Sequence, residues 1–199
     1  MKKLILVFSL LVAPLTYSAD FGFTDDAEIP SWAEESISEL MDQGVISGND
    51  DGSFRPNQPL NRAEVAKIIV LGSGVDFNTT GGPHFPDVQP GDWYYDYVET
   101  MYHYGWINGY PDGTFKPGNT INRAEIAKMM INAFEINENI SGAPHFKDVN
   151  EGDWFFGYVE TARNKELLNN LLTDTFFQPN KPVSRVETVD MIYKAQGNL

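Results

Sequence analysis

The chain has 199 residues, no cysteine, and 28 acidic against 14 basic side chains, giving a formal net charge of −14. Such a field disfavours nucleic acid and anionic lipid as partners held by overall electrostatics. The missing cysteines exclude both a disulfide framework and a lipid-bearing cysteine.

At the start of the chain, Lys2 and Lys3 precede an apolar run over residues 4–12 and a short polar stretch ending at Ala19. That order predicts a secretory signal peptide over residues 1–19, with the mature chain starting near Asp20. The apolar run is too short for a stable membrane anchor. Removal of Lys2 and Lys3 takes the formal charge from −14 to −16. No later segment reads as a transmembrane helix, so export without a membrane span is expected.

The remainder reads as three copies of one unit, over residues 20–75, 82–136 and 143–197. Trp32, Trp93 and Trp154 are 61 residues apart, and Arg62, Arg123 and Arg185 are 61 and 62 apart. A Phe-x-Asp element precedes each tryptophan: Phe23-Thr24-Asp25, Phe85-Pro86-Asp87 and Phe146-Lys147-Asp148. The connecting stretches, 71–83 and 136–144, are rich in small and turn-forming residues. A unit of ~60 residues is marginal alone, so the copies are expected to pack on one another.

Each unit is predicted to open with a helix. In the first, Ser31 and Glu34 make a capping box, Trp32, Ile37, Leu40 and Met41 an apolar stripe, and Gly44 the stop. In the second, Asp92 is the N-cap, the stripe is Trp93, Tyr97, Val98, Met101 and Tyr102, and Gly105 ends it. The third begins at Asp153, runs through Ala162, Leu167 and Leu168, and lacks a terminating glycine. A turn follows, in which Asp51-Gly52 and Asp112-Gly113 supply positive φ ahead of Phe54 and Phe115. The third copy has Thr175-Phe176 at this point and no glycine, so its turn must be built differently. Pro56, Pro117 and Pro179 then delay the next helix.

The second helix of each unit opens on Asn61-Arg62-Ala63-Glu64, Asn122-Arg123-Ala124-Glu125 and Ser184-Arg185-Val186-Glu187. A reciprocal capping box, the cap alone contributing roughly 1 kcal/mol, accounts for the first and last residue of each quartet. It leaves the arginine unexplained. A cation at the first helical position faces the positive end of the helix dipole, at about 0.3–1 kcal/mol against it. Three such placements imply an answering anion. One candidate is internal: Asp25, Asp87, Asp148 or an acid of a neighbouring unit. The other is an acidic group on an external ligand, gripped by the guanidinium and the free backbone N–H groups of the helix start. The residues alone leave both open.

These elements in this order, best developed over residues 85–130, resemble the S-layer homology (SLH) domain, found in triplicate on bacterial surface proteins. The first copy departs at Ser47-Gly48-Asn49-Asp50. The third keeps Phe146, Asp148, Trp154, Pro179, Arg185 and Glu187 but lacks the glycine turn. The resemblance implies a mainly α fold: three helix-loop-helix repeats with short extended segments, arranged as a pseudo-threefold trilobed bundle. It also implies a secreted, wall- or S-layer-associated module without enzyme activity, cofactor or metal. Its partner would be acidic, for example pyruvylated, secondary cell-wall polysaccharide, bound non-covalently in grooves between repeats. By position, the family's ligand arginine falls on Arg62, Arg123 and Arg185, its tryptophan on Trp32, Trp93 and Trp154, and its motif aspartate on Asp25, Asp87 and Asp148. The turn glycine falls on Gly48 and Gly109, with no equivalent in the third copy.

An acidic protein can hold an acidic polymer through local contacts, because fields beyond about 8–10 Å are screened at physiological salt. On this reading Arg123→Ala weakens capture by wall polymer and leaves the circular dichroism spectrum unchanged. The runs Trp93-Tyr94-Tyr95 and Trp154-Phe155-Phe156 offer faces for sugar rings or for packing between units. The alternative function is an envelope adaptor that binds S-layer or other envelope proteins, or itself, without glycan. The Asp-Gly turns carry Gln58 and Asn119 where a calcium loop needs glutamate. His84, His103 and His145 have no partner at metal or triad spacing, and structural roles are expected for them.

Overall fold

A computed structural model describes residues 19–169 and 175–197. The expected signal peptide lies outside this range except for Ala19, as does most of the third turn. The described chain folds into six helices, two per repeat: α1 (Glu34–Asp42), α2 (Arg62–Ser73), α3 (Tyr95–His103), α4 (Arg123–Ala133), α5 (Phe156–Asn164) and α6 (Arg185–Gln196). Among the described residues there is no strand, only isolated bridges.

The second helices begin where the sequence places them. Asn61 and Asn122 accept the N–H groups of Glu64 and Glu125 at 2.9 Å, and the two glutamates accept the cap N–H groups at 2.7 and 3.1 Å. Ser184 and Glu187 close the same box. The first helices begin later than expected. Ser31–Ala33 is a 3-10 turn, and α1 starts at Glu34 without a side-chain cap. Asp92 and Asp153 do not cap α3 and α5; each carboxylate instead accepts the N–H three residues earlier, from Gln89 at 2.8 Å and Asn150 at 2.7 Å. Turning back on this preceding turn satisfies the carboxylate locally and delays the helix by a few residues. The tryptophans therefore precede the helices rather than joining their apolar stripes. Trp32, Trp93 and Trp154 are 38%, 56% and 57% exposed.

The third copy shows how a lost glycine is replaced. Gly44 and Gly105 end their helices at φ 71° and 74°, and Glu166 adopts φ 62° at the equivalent place. In all three cases the next residue's N–H returns to a carbonyl five residues back: Val45 to Leu40, Trp106 to Met101 and Leu167 to Ala162. The buried aromatic after the third turn is Phe177, whereas Phe176 is 44% exposed. One extra residue thus lies between the third helix end and the proline loop.

The copies close into a ring. Leu60 N–H donates to Val183 O at 3.2 Å, Val183 N–H to Ile121 O at 3.3 Å, and Ile121 N–H to Leu60 O at 3.1 Å. These three bonds circle a pseudo-threefold axis, and their side chains are buried. Around it, α2 packs on α3, α4 on α5, and α6 returns to α1, so each lobe joins neighbouring copies. Phe54, Phe115 and Phe177, each fully buried, anchor the three lobes in one continuous core. Sharing the core in this way solves the size problem of a single unit.

Candidate functional site

The ring fixes the start of every second helix against the next copy. Arg62 and Ala63 donate their N–H groups to Asn119 O and Pro117 O, Arg123 and Ala124 to Lys181 O and Pro179 O, and Arg185 and Val186 to Gln58 O and Pro56 O. The third N–H of each helix goes to the capping side chain. Expecting free N–H groups to hold an anion here was therefore mistaken: the next copy's proline loop supplies carbonyl acceptors.

The arginines also cross to the following copy, and their anion is an internal one in two of three cases. Arg62 Nε donates to Phe115 O at 2.8 Å and Nη1 to Glu125 Oε1 at 3.4 Å. Its guanidinium lies 4.7 Å from the ring centres of both Tyr110 and Phe115. Arg123 repeats this with Phe177 O at 2.9 Å and Glu187 Oε1 at 3.3 Å. The partner is the capping-box glutamate of the next copy, not the Phe-x-Asp aspartate. Both arginines are almost wholly buried, so Arg123→Ala removes a structural contact. The substitution therefore lowers stability in addition to any effect on a ligand. Arg185 closes the cycle differently. Nη2 donates to Ser47 O at 2.5 Å and the guanidinium sits 4.8 Å above Phe54. Among the described residues, no carboxylate stands within ion-pair distance of it.

Asp25, Asp87 and Asp148 hold the loops that bear these contacts. Asp87 accepts the N–H groups of Phe115 at 2.9 Å and Lys116 at 2.7 Å; Asp25 does the same for Phe54 and Arg55, and Asp148 for Phe177 and Gln178. The second donor of each pair, Arg55, Lys116 or Gln178, has φ near 59°. Clamping two adjacent N–H groups offsets the strain of a non-glycine residue in that region.

Among the described residues two such clefts result, each drawing on all three copies. The first lies between Ser47 and Gly48 of copy one, Glu64 and Lys67 on α2, Trp93 of copy two and Arg185 of copy three, and encloses about 340 Å³. The second is its rotated counterpart, between Asn108 and Gly109, Glu125 and Lys128 on α4, Trp154 of copy three and Arg62 of copy one, and encloses about 400 Å³. Both volumes fall within the small-ligand range of ~300–1,000 Å³. Gly48 and Gly109 form part of each wall for a steric reason: a Cβ would come 2.5 Å from Phe23 and Phe85 respectively, and Gly109 also has φ 70°. Trp32 and Arg123 line neither cleft, and the aspartates lie behind the loops rather than on the walls. At the third position, Asp190 stands where Lys67 and Lys128 stand. It is buried, accepting from Ser36 Oγ at 2.9 Å and pairing with Lys194 Nζ at 2.6 Å.

Sequence reasoning missed the lysines, although their spacing of five from Arg62 and Arg123 repeats and was available as a signal. It also missed Trp106 and Tyr110, which line only the second cleft. Tyr110 Oη donates to Glu125 Oε1 at 2.6 Å, and burial together with that carboxylate pushes the phenol up to about 12. His84 and His145 do have partners: their ring Nδ1 atoms meet the buried carboxylates of Glu99, at 2.5 Å, and Glu160. Both tie the start of a repeat to its first helix. Among the described residues, no group of three His, Cys, Asp or Glu side chains is placed to hold a metal ion, and no helix is long and apolar enough to cross a membrane.

The fold and clefts define a class: a cyclic three-repeat helical module with solvent-open grooves at the junctions between repeats. The S-layer homology domain model matches residues 22–66, 84–127 and 145–188. The chain therefore belongs to the S-layer homology domain family. It is 30% identical over 94% of its length to an uncharacterized cell wall amidase of Bacillus anthracis, covering 34% of that protein. It is 35% identical over 75% of its length to cell surface glycoprotein 1 of Acetivibrio thermocellus, covering 7% of it. It is 29% identical over 85% of its length to S-layer protein sap of Bacillus anthracis, covering 20% of it. The chain thus spans about a third or less of these relatives.

Proposed function

We propose that this chain is a non-catalytic, cell-surface module that anchors to the bacterial wall by holding acidic secondary cell-wall polysaccharide in its two described clefts. S-layer homology repeats along the chain, together with its likeness to part of an S-layer protein and to about a third of a cell wall amidase, support the anchoring role. One observation carries the glycan reading: each cleft pairs a solvent-facing tryptophan, Trp93 or Trp154, with an arginine and a lysine. An exposed indole offers an apolar face to a sugar ring, and the cations answer an acidic substituent such as a pyruvate ketal. Gly48 and Gly109 shape the cleft walls, while Asp25, Asp87 and Asp148 position the loops.

The test is co-sedimentation with purified acidic wall polysaccharide, before and after mild acid removal of its pyruvate. The native protein should sediment with the intact polymer and be released by the double substitution Trp93→Ala, Trp154→Ala, with an unchanged circular dichroism spectrum. Undiminished sedimentation of the double variant would refute the reading. Capture by wall fragments that resists glycan removal but not protease treatment would instead favour the protein-adaptor function.

A further inference from the structure

Two buried glutamates, Glu99 on α3 and Glu160 on α5, line neither cleft, yet each closes a loop that carries a cleft tryptophan. Glu99 is 0% exposed and both of its oxygens are engaged: Oε1 accepts the His84 N–H at 3.1 Å, and Oε2 meets the His84 ring Nδ1 at 2.5 Å. Glu160, equally buried, accepts the His145 N–H at 3.0 Å and meets the ring Nδ1 in the same way. Each pair spans 15 residues. Between its ends lie a loop aspartate and a tryptophan: Asp87 and Trp93 in one loop, Asp148 and Trp154 in the other. The His84 ring is further held by stacking on Tyr102 at 4.0 Å.

Trp93 and Trp154 have few contacts of their own to fix them. Each is more than half exposed, and its ring meets the ring of the next residue, Tyr94 or Phe155, edge-on at 5.3 Å. Copy one supplies the contrast. It has Gly22 and exposed Ser38 where the histidine and glutamate would stand, and one more residue between its phenylalanine and its tryptophan. Its Trp32 is less exposed and lines neither described cleft. The aspartate clamp is present in all three copies, so it does not distinguish them; the histidine–glutamate pair and the loop length do.

We propose that His84–Glu99 and His145–Glu160 are positioning clasps: each closes the base of a loop so that an otherwise loosely held tryptophan stands ready on the cleft wall. These residues touch no ligand and act through Trp93 and Trp154. The inference rests on the reading of the clefts as glycan sites and adds what holds their tryptophans in place. Closing a loop restricts the residues within it, and a side chain ordered in advance spares the cost of immobilising it on binding. Burial makes the closure firm, because opening it strands a carboxylate away from water.

The test reads order and affinity separately. In ¹⁵N-labelled protein, the heteronuclear NOE of each indole N–H reports the motion of that tryptophan. His84→Ala should lower the NOE at Trp93 alone and His145→Ala at Trp154 alone, with Trp32 and Trp106 unchanged. Free imidazole, which can refill the space between Tyr102 and Glu99, should restore Trp93 in His84→Ala. Glu99→Gln, whose amide can accept the His84 N–H and donate to Nδ1, should keep Trp93 ordered, whereas Glu99→Leu should not. His103→Ala is the control, because that ring meets Asn78 Nδ2 outside the loop, and Trp93 should not respond to it. Titrated with pyruvylated wall oligosaccharide and read from indole shifts, His84→Ala should bind about three- to tenfold more weakly at Trp93, and His145→Ala at Trp154. Should truncation unfold the chain, His84→Asn, which keeps a side-chain N–H near the Nδ1 position, and His84→Leu, which does not, make the same comparison. Unchanged NOEs in the folded variants overturn the proposal, as does a drop spread over all four indoles, which marks a general loss of stability. Lowered order with unchanged affinity also overturns it. A native protein that does not bind the oligosaccharide refutes the glycan reading instead, and the indole comparison still decides whether the clasps hold the rings.

Discussion

Replacing Arg123 by alanine removes a side chain that is 4% exposed and joins the second repeat to the third. It deletes a charge-assisted bond to Phe177 O at 2.9 Å and strands Glu187, whose side chain is 16% exposed, without its partner at 3.3 Å. A hydrogen bond to a charged group contributes about 1.5–3 kcal/mol, and breaking a fully buried pair costs about 3–5 kcal/mol. The residual exposure of Glu187 lowers the sum, so the expected loss is about 2–4 kcal/mol. For a chain of this size each kcal/mol moves the melting temperature by about 2–4 °C, giving a drop of roughly 5–15 °C. Arg185→Ala is the internal control. It breaks one bond to a carbonyl and one ring contact at a half-buried position without stranding a carboxylate, at about 1 kcal/mol. Differential scanning calorimetry of both variants checks the argument. Equal losses, or a larger loss for Arg185→Ala, would refute the cyclic arginine–glutamate scheme.

Three further expectations follow from the loops. Asp87→Ala orphans the N–H groups of Phe115 and Lys116 and should lose about 2–3 kcal/mol in urea unfolding, with Asp87→Asn, which keeps one acceptor, intermediate. Gly109→Ala places a methyl group 2.5 Å from Phe85 and 2.8 Å from Thr114 O at φ 70°, for about 2–4 kcal/mol, whereas Gly118→Ala meets nothing within 4 Å and should be near neutral by the same measurement. Hydrogen bonds from the Ser53 and Thr114 hydroxyls hold Asp51 and Asp112 down at about 2 against an ordinary 3.8. A depressed folded-state value means stabilisation that is complete above the ordinary range and lost as pH falls from about 4 through about 2. The urea midpoint should therefore fall over that window, and fall less steeply in the double variant Asp51→Asn, Asp112→Asn; identical slopes would contradict this.

Much of the fold was legible because its local rules repeat. The quartets at Asn61, Asn122 and Ser184 announce capping boxes, and the structure closes all three. Gly52 and Gly113 sit at φ 80°, as the Asp-Gly turns require. What was misread depends on partners distant in sequence. Arg62 finds its anion 63 residues on, at Glu125, and nothing local distinguishes that from a ligand. The helix-start N–H groups look free until the next copy's proline loop is in place. The tryptophans fit a helical stripe by spacing, yet the turns at Asp92 and Asp153 set two of them before the helix and out into solvent. Glu166 in a left-handed conformation replaces a glycine, which composition alone does not announce. Lys67 and Lys128 lie five residues beyond the arginines, on a helix face where nothing local separates a cleft cation from an ordinary surface lysine.

The central claim is that the inter-repeat clefts hold acidic wall glycan. Calorimetric titration of the native protein with a pyruvylated wall oligosaccharide tests it most directly, run beside Trp93→Ala, Trp154→Ala and the double variant. The native protein should bind saturably, each single variant should lose part of the binding, and the double variant should not bind. Undiminished binding by a folded double variant would contradict it.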